Sequence, residues 1–103
     1  MLTSKERAFL RGLAGKLEPL IHVGKNGITD TLIQQVEETF TSRELIKGKV
    51  LENAPVTARE ACDALAKGVR GEPVQVIGSK FVLYRENRDM PPDQRIRLPK
   101  AKK

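Results

Sequence analysis

Two kinds of apolar spacing alternate along this chain, and their order constrains the fold more than any other feature. Three segments carry apolar residues three or four positions apart, as amphipathic helices do, and short strand-like apolar runs separate and follow them. The order is α-β-α-β-α-β-β. Strands joined through helices pair in parallel, whereas the last two strands form a hairpin around Gly78-Ser79. We therefore predict an α/β (α+β) fold, with a mixed four-stranded sheet packed with three helices.

Capping signals and punctuating residues set the predicted boundaries. We expect helices 2 and 3 to cover one face of the sheet and helix 1 to cover the other. The expected elements are a helix over residues 4–17 with a Thr3/Glu6 capping box, a strand over 20–23, a helix capped by Thr29 or Asp30 with an apolar stripe to Phe40, a strand over 44–51, a helix with a Thr57/Glu60 capping box that ends near Val69, and strands over 74–77 and 81–85.

Charge is the compositional feature that bears most on function. The net charge is +6 and the pI is near 9.8, which indicates a polyanionic partner. Residues 87–103 hold six basic and two acidic residues, so most of the excess lies there. We therefore divide the chain into a folded domain over residues 1–86 and a basic, flexible tail over residues 87–103. Within that tail, Ile96 and Leu98 could alternatively dock on the domain.

Several classes of function are disfavoured by what the sequence lacks. One cysteine, Cys62, and one histidine, His22, cannot supply an internal disulfide or a four-ligand Cys/His metal site. Neither paired carboxylates nor a Ser/His/Asp set marks an enzyme, so we expect no catalysis and no cofactor. No apolar run approaches the roughly 20 residues of a membrane span, and the N-terminus lacks the features of a secretory signal. We expect a cytoplasmic monomer.

Residues 24–27, GKNG, follow the first strand and precede the second helix. Asn-Gly is a strong turn signal, so the simpler interpretation is a chain reversal. The alternative is an anion clamp, because glycines flank the turn, a helix N-terminus follows, and Lys25 adds a mobile cation. The same G-x-x-G pattern holds nucleic-acid backbones in KH-type domains. The stretch fits neither a Walker loop nor a dinucleotide fingerprint. We favour the clamp, formed by Gly24, Lys25, Asn26 and Gly27.

Four further basic residues are candidates for the same surface. Arg7 and Arg11 lie four apart on the first helix, where two like charges also fit an ordinary solvated face. Lys47 and Lys49 alternate onto one side of the second strand, where lysines also occur to protect a sheet edge. The sequence alone does not bring these residues to the turn.

Four separated stretches together resemble the YhbY-type family of small bacterial proteins, which consist of one CRM (chloroplast RNA splicing and ribosome maturation) domain. The stretches are RGLAGKLEPLIHVGKNGIT, RELIKGKV, PVQVIGSKFVLYRE and RIRLP. The resemblance implies a fold like the C-terminal domain of bacterial translation initiation factor three. It also implies RNA binding through the G-x-x-G loop, at Gly24 to Gly27 here, and association with precursors of the large ribosomal subunit as an assembly factor.

We therefore predict a non-catalytic RNA-binding protein that binds large-subunit ribosomal RNA or its precursor. Charge does not separate RNA from DNA. The alternative is a protein-interaction module in which the acidic face of helix 2, formed by Asp30, Glu37 and Glu38, docks on a ribosomal protein or an assembly factor. Both activities could coexist on one domain.

Overall fold

The computed structural model describes residues 2–96 and residue 98. No helix in these described ranges is long and apolar enough to cross a membrane. The element order predicted from the sequence is confirmed. The elements are α1 (Ser4–Ala14), β1 (Ile21–Val23), α2 (Asp30–Thr39), β2 (Leu45–Val50), α3 (Ala58–Val69), β3 (Glu72–Ile77), β4 (Lys80–Tyr84) and a short 3₁₀ helix (Pro92–Gln94).

All three α-helices begin at threonine caps. In α1 the Thr3 hydroxyl accepts from the Glu6 N–H at 3.1 Å, and the Glu6 carboxylate accepts from the Thr3 N–H at 2.9 Å. Thr57 and Glu60 repeat this capping box before α3, at 3.1 and 2.8 Å. The Thr29 hydroxyl accepts from the N–H of the third residue of α2 at 3.1 Å. Both predicted capping boxes are confirmed, because each depends on residues only three positions apart.

The strands form one four-stranded mixed sheet in the order β1-β2-β4-β3. β1 runs parallel to β2, and β4 lies antiparallel between β2 and β3. Consequently β1 and β3 are the edge strands, and β2 and β4 are central. The mixed pairing was predicted from the connections, whereas the order of the strands was not.

A different layer of helices covers each face of the sheet, as predicted. On one face α2 and α3 pack over the inward side chains of all the strands, forming the larger core; α1 covers part of the other face. The first core contains, among others, Ile21, Val23, Val36, Phe40, Ile46, Cys62, Leu65, Val69, Phe81 and Leu83. The second contains Leu2, Leu10, Ala14, Leu45, Val74, Val82 and Tyr84.

Gly48 fixes how β2 lies against β4. It is buried directly opposite Phe81, and a Cβ at this position would clash with the Phe81 ring. A residue with a side chain here would therefore displace the buried ring of Phe81. With this register, the next residue of β2, Lys49, lies opposite Lys80.

Helix α1 ends three residues before its predicted end at residue 17. Gly15 is its C-cap. Beyond the cap the chain forms a turn, in which the Leu17 N–H donates to the Ala14 carbonyl at 3.0 Å. The Lys47 ammonium of β2 donates to the same carbonyl at 3.4 Å. The Ala14 carbonyl thus accepts from both donors, and a cation at a helix C-terminus also interacts favourably with the helix dipole.

Residues 87–96, the C-terminal strap, are attached to the domain by the carboxylate of Glu44, whose side chain is 0% exposed. It accepts from the Asn87 N–H at 2.6 Å, the Ile96 N–H at 2.6 Å and the Arg95 Nε at 3.3 Å. A buried carboxylate is tolerated because these three donors replace its lost hydration.

The strap also contributes apolar contacts. Ile96 and Leu98 are half-buried against the second core, as in the docked alternative that the sequence left open. Residues 97 and 99–103 lie outside the described residues, so the expectation of a flexible basic end stays a prediction.

Candidate nucleic-acid interface

The GKNG turn, residues 24–27, closes directly after β1. The Gly27 N–H donates to the Gly24 carbonyl at 2.9 Å, which is the hydrogen bond of a four-residue β-turn. Lys25 and Asn26 occupy its tip, and both are exposed. The chain reversal is therefore present, with its two polar side chains open to solvent.

The two glycines of the turn have different structural reasons to be glycine. Gly27 is buried with φ +66°, and a Cβ there would lie 3.1 Å from the Cγ of Pro55. The fold itself requires glycine at that position. A Cβ at Gly24, by contrast, would meet only the Cδ1 of Leu51, at an ordinary contact distance of 3.8 Å. Nothing within the described domain requires glycine at position 24.

Two residues separate the turn from the helix that follows. Ile28 and Thr29 intervene, and α2 begins at Asp30. The N-terminus of α2 already has the Thr29 hydroxyl as an acceptor and the Asp30 carboxylate in its first turn. These two groups therefore already interact with the partial positive charge at the N-terminus of α2. Lys25 supplies the positive charge of the turn, and among the described residues it has no ion pair or side-chain hydrogen bond.

The two predicted lysines of β2 have different surroundings. Lys47 is half-buried, and its ammonium contacts the end of α1, so it has a structural role. Lys49 is also half-buried, but the described part of the chain gives it no ion pair or side-chain hydrogen bond. Lys49 lies opposite His22 of β1 on one side and Lys80 of β4 on the other.

Lys80 was missed by the sequence reasoning, and His22 was not among the predicted site residues. Both side chains are exposed. The signal for Lys80 was its place directly after the Gly78-Ser79 turn, but its pairing with Lys49 depends on β4 lying beside β2. Local sequence patterns do not reveal this pairing, because the two lysines are far apart in the chain.

Arg7 and Arg11 lie on α1, with Arg11 in its last turn. Arg11 is exposed and Arg7 is half-buried. Among the described residues, no hydrogen bond or ion pair connects either side chain to the GKNG turn. The structure therefore places these arginines on a separate element, and their part in a shared surface stays a prediction.

The acidic face of α2 is partly occupied by the chain itself. The Glu37 carboxylate pairs with the Arg85 guanidinium at 2.8 Å, and that guanidinium lies 5.8 Å from the centre of the Phe40 ring. Asp30 and Glu38 are exposed. Only part of the predicted acidic face is thus available to a partner.

Comparison with known proteins decides the family. Residues 2–85 match the family model described as the CRS1 / YhbY (CRM) domain. The chain is also 42% identical over 99 residues to the Probable RNA-binding protein YqeI of Bacillus subtilis, which covers 96% of this chain and 100% of that protein. The chain belongs to the CRM domain family.

Two further comparisons agree with the CRM assignment. An RNA-binding protein of Haemophilus influenzae is 33% identical over 99 residues, covering 96% of each chain. The solution structure of the protein SAV1595 from Staphylococcus aureus superimposes with a TM-score of 0.78 at 41% identity, covering 96% of this chain and 100% of that one. The family and the fold predicted from the sequence are both confirmed.

The lone thiol of this CRM domain is unsuited to nucleophilic chemistry. Cys62 is 0% exposed, and its Sγ lies 3.9 Å from the carbonyl oxygen of Val82. Burial, with a smaller contribution from the negative charge of Asp63, raises the pKa of the thiol to about 11. It is therefore protonated at neutral pH and packs as a small apolar side chain. Within the described residues, no cluster of three His, Cys, Asp or Glu side chains could hold a metal ion.

Within the described part of the chain, a groove lies at each end of the sheet. One, of about 950 Å³, is lined by Glu6, Tyr84, Arg95 and neighbouring residues, far along the strands from the turn. The other, of about 660 Å³, borders the turn and is lined by Lys49, Leu51 and the Gly78-Ser79 hairpin. The second groove lies beside the candidate interface because Leu51, which lines it, has its Cδ1 3.8 Å from where a Cβ of Gly24 would be.

Proposed function

We propose that this protein binds RNA without catalysis, that its target is ribosomal RNA in precursors of the large subunit, and that it assists their assembly. The observation that carries the proposal is Gly24, a glycine that the fold does not need, beside an exposed Lys25. A net charge of +6 and relatives named as RNA-binding proteins support the same class of partner.

The turn would act on the RNA backbone. The missing Cβ at Gly24 lets a phosphate or a ribose come close to the main chain. Lys25 attracts a phosphate, and the Asn26 amide can donate to phosphate or sugar oxygens. Lys49 extends the positive charge from the turn onto the sheet, and Arg7 and Arg11 enlarge the basic surface on α1.

Contacts of this kind favour recognition by shape. Phe, Tyr and Trp make up only 4% of the residues, which leaves these three little surface for stacking on successive bases. Backbone contacts position a protein on its RNA without reading base edges. A structured segment of ribosomal RNA, which presents its backbone in a fixed geometry, suits such a surface.

The test is in-cell UV crosslinking with sequencing of the bound RNA, for the native protein and for Gly24→Asp. Gly24 alone is changed, because a side chain at Gly27 would damage the turn itself. The matched control is Ser42→Asp, which adds the same charge at an exposed position beyond the far end of α2, about 15 Å along the helix from its start.

We expect crosslinks concentrated in large-subunit ribosomal RNA, lost in Gly24→Asp and retained in Ser42→Asp. Crosslinks scattered over abundant RNAs and equal in all three proteins would contradict the proposal, since generic charge attraction would then be sufficient. In vitro, RNA and DNA of one sequence separate the two nucleic acids: equal affinity for both would contradict a dedicated RNA site.

A further inference from the structure

Three basic side chains form a row across the sheet beside the turn. The strand register places His22 of β1 opposite Lys49 of β2, and Lys49 opposite Lys80 of β4. Residues directly opposite one another project from the same face of a sheet. We call His22, Lys49 and Lys80 the basic row. Ile77 of β3 continues it to the far edge and is 63% exposed.

The basic row lies on the face that α1 covers, but beyond the end of that helix. Lys47, two residues before Lys49 and on the same face, contacts the carbonyl of the last residue of α1. The second core, beneath α1, uses the other end of the strands, including Leu45 and Tyr84. His22 and Lys80 are accordingly exposed.

Protection of a sheet edge does not explain the row. Lysines on edge strands discourage strand addition, but Lys49 and Lys80 lie on β2 and β4, the two central strands. Like charges directly opposite each other destabilise a sheet. In the described part of the chain neither lysine has an acidic partner, whereas Arg85 and Arg95 both do. A bound anion would therefore relieve the repulsion between the two lysines.

The row is continuous with the turn. His22, in β1, lies two residues before Gly24. Lys49, in β2, lies two residues before Leu51, whose side chain is beside Gly24. Neighbouring strands are about 4.8 Å apart, so the three row residues extend the turn by roughly 10 Å across the sheet.

We propose that the basic row is the second half of the RNA site. Lys49 and Lys80 bind phosphates of the RNA strand whose backbone the GKNG turn holds. The exposed ring of His22 stacks on an RNA base that lies between these lysines and the turn. Histidine is among the side chains on which RNA-binding proteins stack unpaired bases. This inference rests on the proposed function and adds to it the direction of the RNA, from the turn across β1, β2 and β4.

The test measures binding by fluorescence anisotropy with a labelled single-stranded RNA and a labelled RNA hairpin, from about 50 to 200 mM KCl. The row variant is Lys49→Gln with Lys80→Gln. Its control is Arg59→Gln with Lys67→Gln, which removes two exposed charges from α3, on the opposite face. Thermal unfolding verifies that each variant is folded.

For the row variant we expect the slope of log K against log salt to become shallower by about 1.5 on the single strand, because each lost phosphate contact removes roughly 0.7 to 1. The control keeps the native slope. His22→Leu weakens binding by about 5- to 150-fold, the range found when a stacking side chain is lost. His22→Phe restores that affinity.

The outcomes separate this inference from the proposed function. If native protein binds both RNAs and Gly24→Asp weakens binding, but the row variant keeps the native slope, the row is not part of the site. If His22→Leu and His22→Phe bind equally, the stacking role is wrong. If the native protein binds neither RNA, the proposed function itself fails.

Discussion

At the scale of single residues, the turn separates a glycine that the fold needs from one that it does not. Gly27 has a left-handed backbone and lies against Pro55, so its identity is explained by the domain. Gly24 has neither constraint. The domain itself could accept a Cβ at position 24. A glycine there, in an exposed turn beside a lysine, therefore indicates a requirement set by a binding partner.

We predict opposite effects from alanine at these two positions. Gly27→Ala should lower the free energy of unfolding by about 1–3 kcal/mol, because it forces an L-residue to a positive φ. Gly24→Ala should stay within about 1 kcal/mol of the native protein yet weaken RNA binding. Urea unfolding and RNA anisotropy on the same samples measure both. Native-like RNA affinity in Gly24→Ala would remove the reason for assigning this glycine to the interface.

At the scale of elements, sequence reasoning was reliable where the deciding residues are near one another in the chain. The two capping boxes, the hairpin at Gly78-Ser79 and the faces of the helices depend on spacings of a few residues. The end of α1 was misplaced because the apolar spacing continues to Leu17, whereas the helix ends at Ala14 with Gly15 as its C-cap. The basic row was missed because it requires the strand order, which no local pattern specifies.

The C-terminal strap gives a prediction about Glu44. Glu44→Gln replaces an acceptor-only carboxylate by an amide, which must turn an N–H toward at least one strap donor or lose a bond. We expect the free energy of unfolding to fall by about 1–3 kcal/mol. Amide hydrogen exchange at Asn87 and Ile96 should accelerate, because both N–H groups donate to this carboxylate.

The control for this change is Glu86→Gln. Glu86 also pairs with Arg95, whose hydrogen bond lowers the pKa of the Glu86 carboxyl, but its side chain is 49% exposed. Because solvent competes for exposed pairs, we expect a change of at most about 1 kcal/mol. Equal losses in the two variants would show that burial of Glu44 contributes nothing particular to the strap.

At the scale of the whole molecule, the candidate interface and the C-terminal strap lie at opposite ends of the sheet. One end of its strands carries the GKNG turn and the basic row. The other end carries the strap, Glu44 and the larger groove. The candidate interface is thus mounted on β1 and on the two central strands, whose backbones are fixed by the cores on both faces. Such a platform needs little reordering when a ligand binds.

The lysines at the end of the chain should increase the affinity for RNA without affecting which site on the RNA is bound. Ending the chain after Leu98 removes Lys100, Lys102 and Lys103. We expect a shallower salt dependence and weaker binding to every polyanion tested, including heparin, by a similar factor. The positions of crosslinks on ribosomal RNA should not move. A change in those positions, rather than in their yield, would assign the end of the chain a part in choosing the site.

The buried carboxylate of Glu44 also determines how much of the chain makes an independent unit. The family match ends at residue 85, yet three donors to that carboxylate come from residues 87–96. A recombinant fragment cut at the end of the match would leave a charge in the interior with no counterpart, a defect that costs several kcal/mol. Recombinant fragments and fusions of this chain should therefore place their boundary after residue 96, not after the last strand.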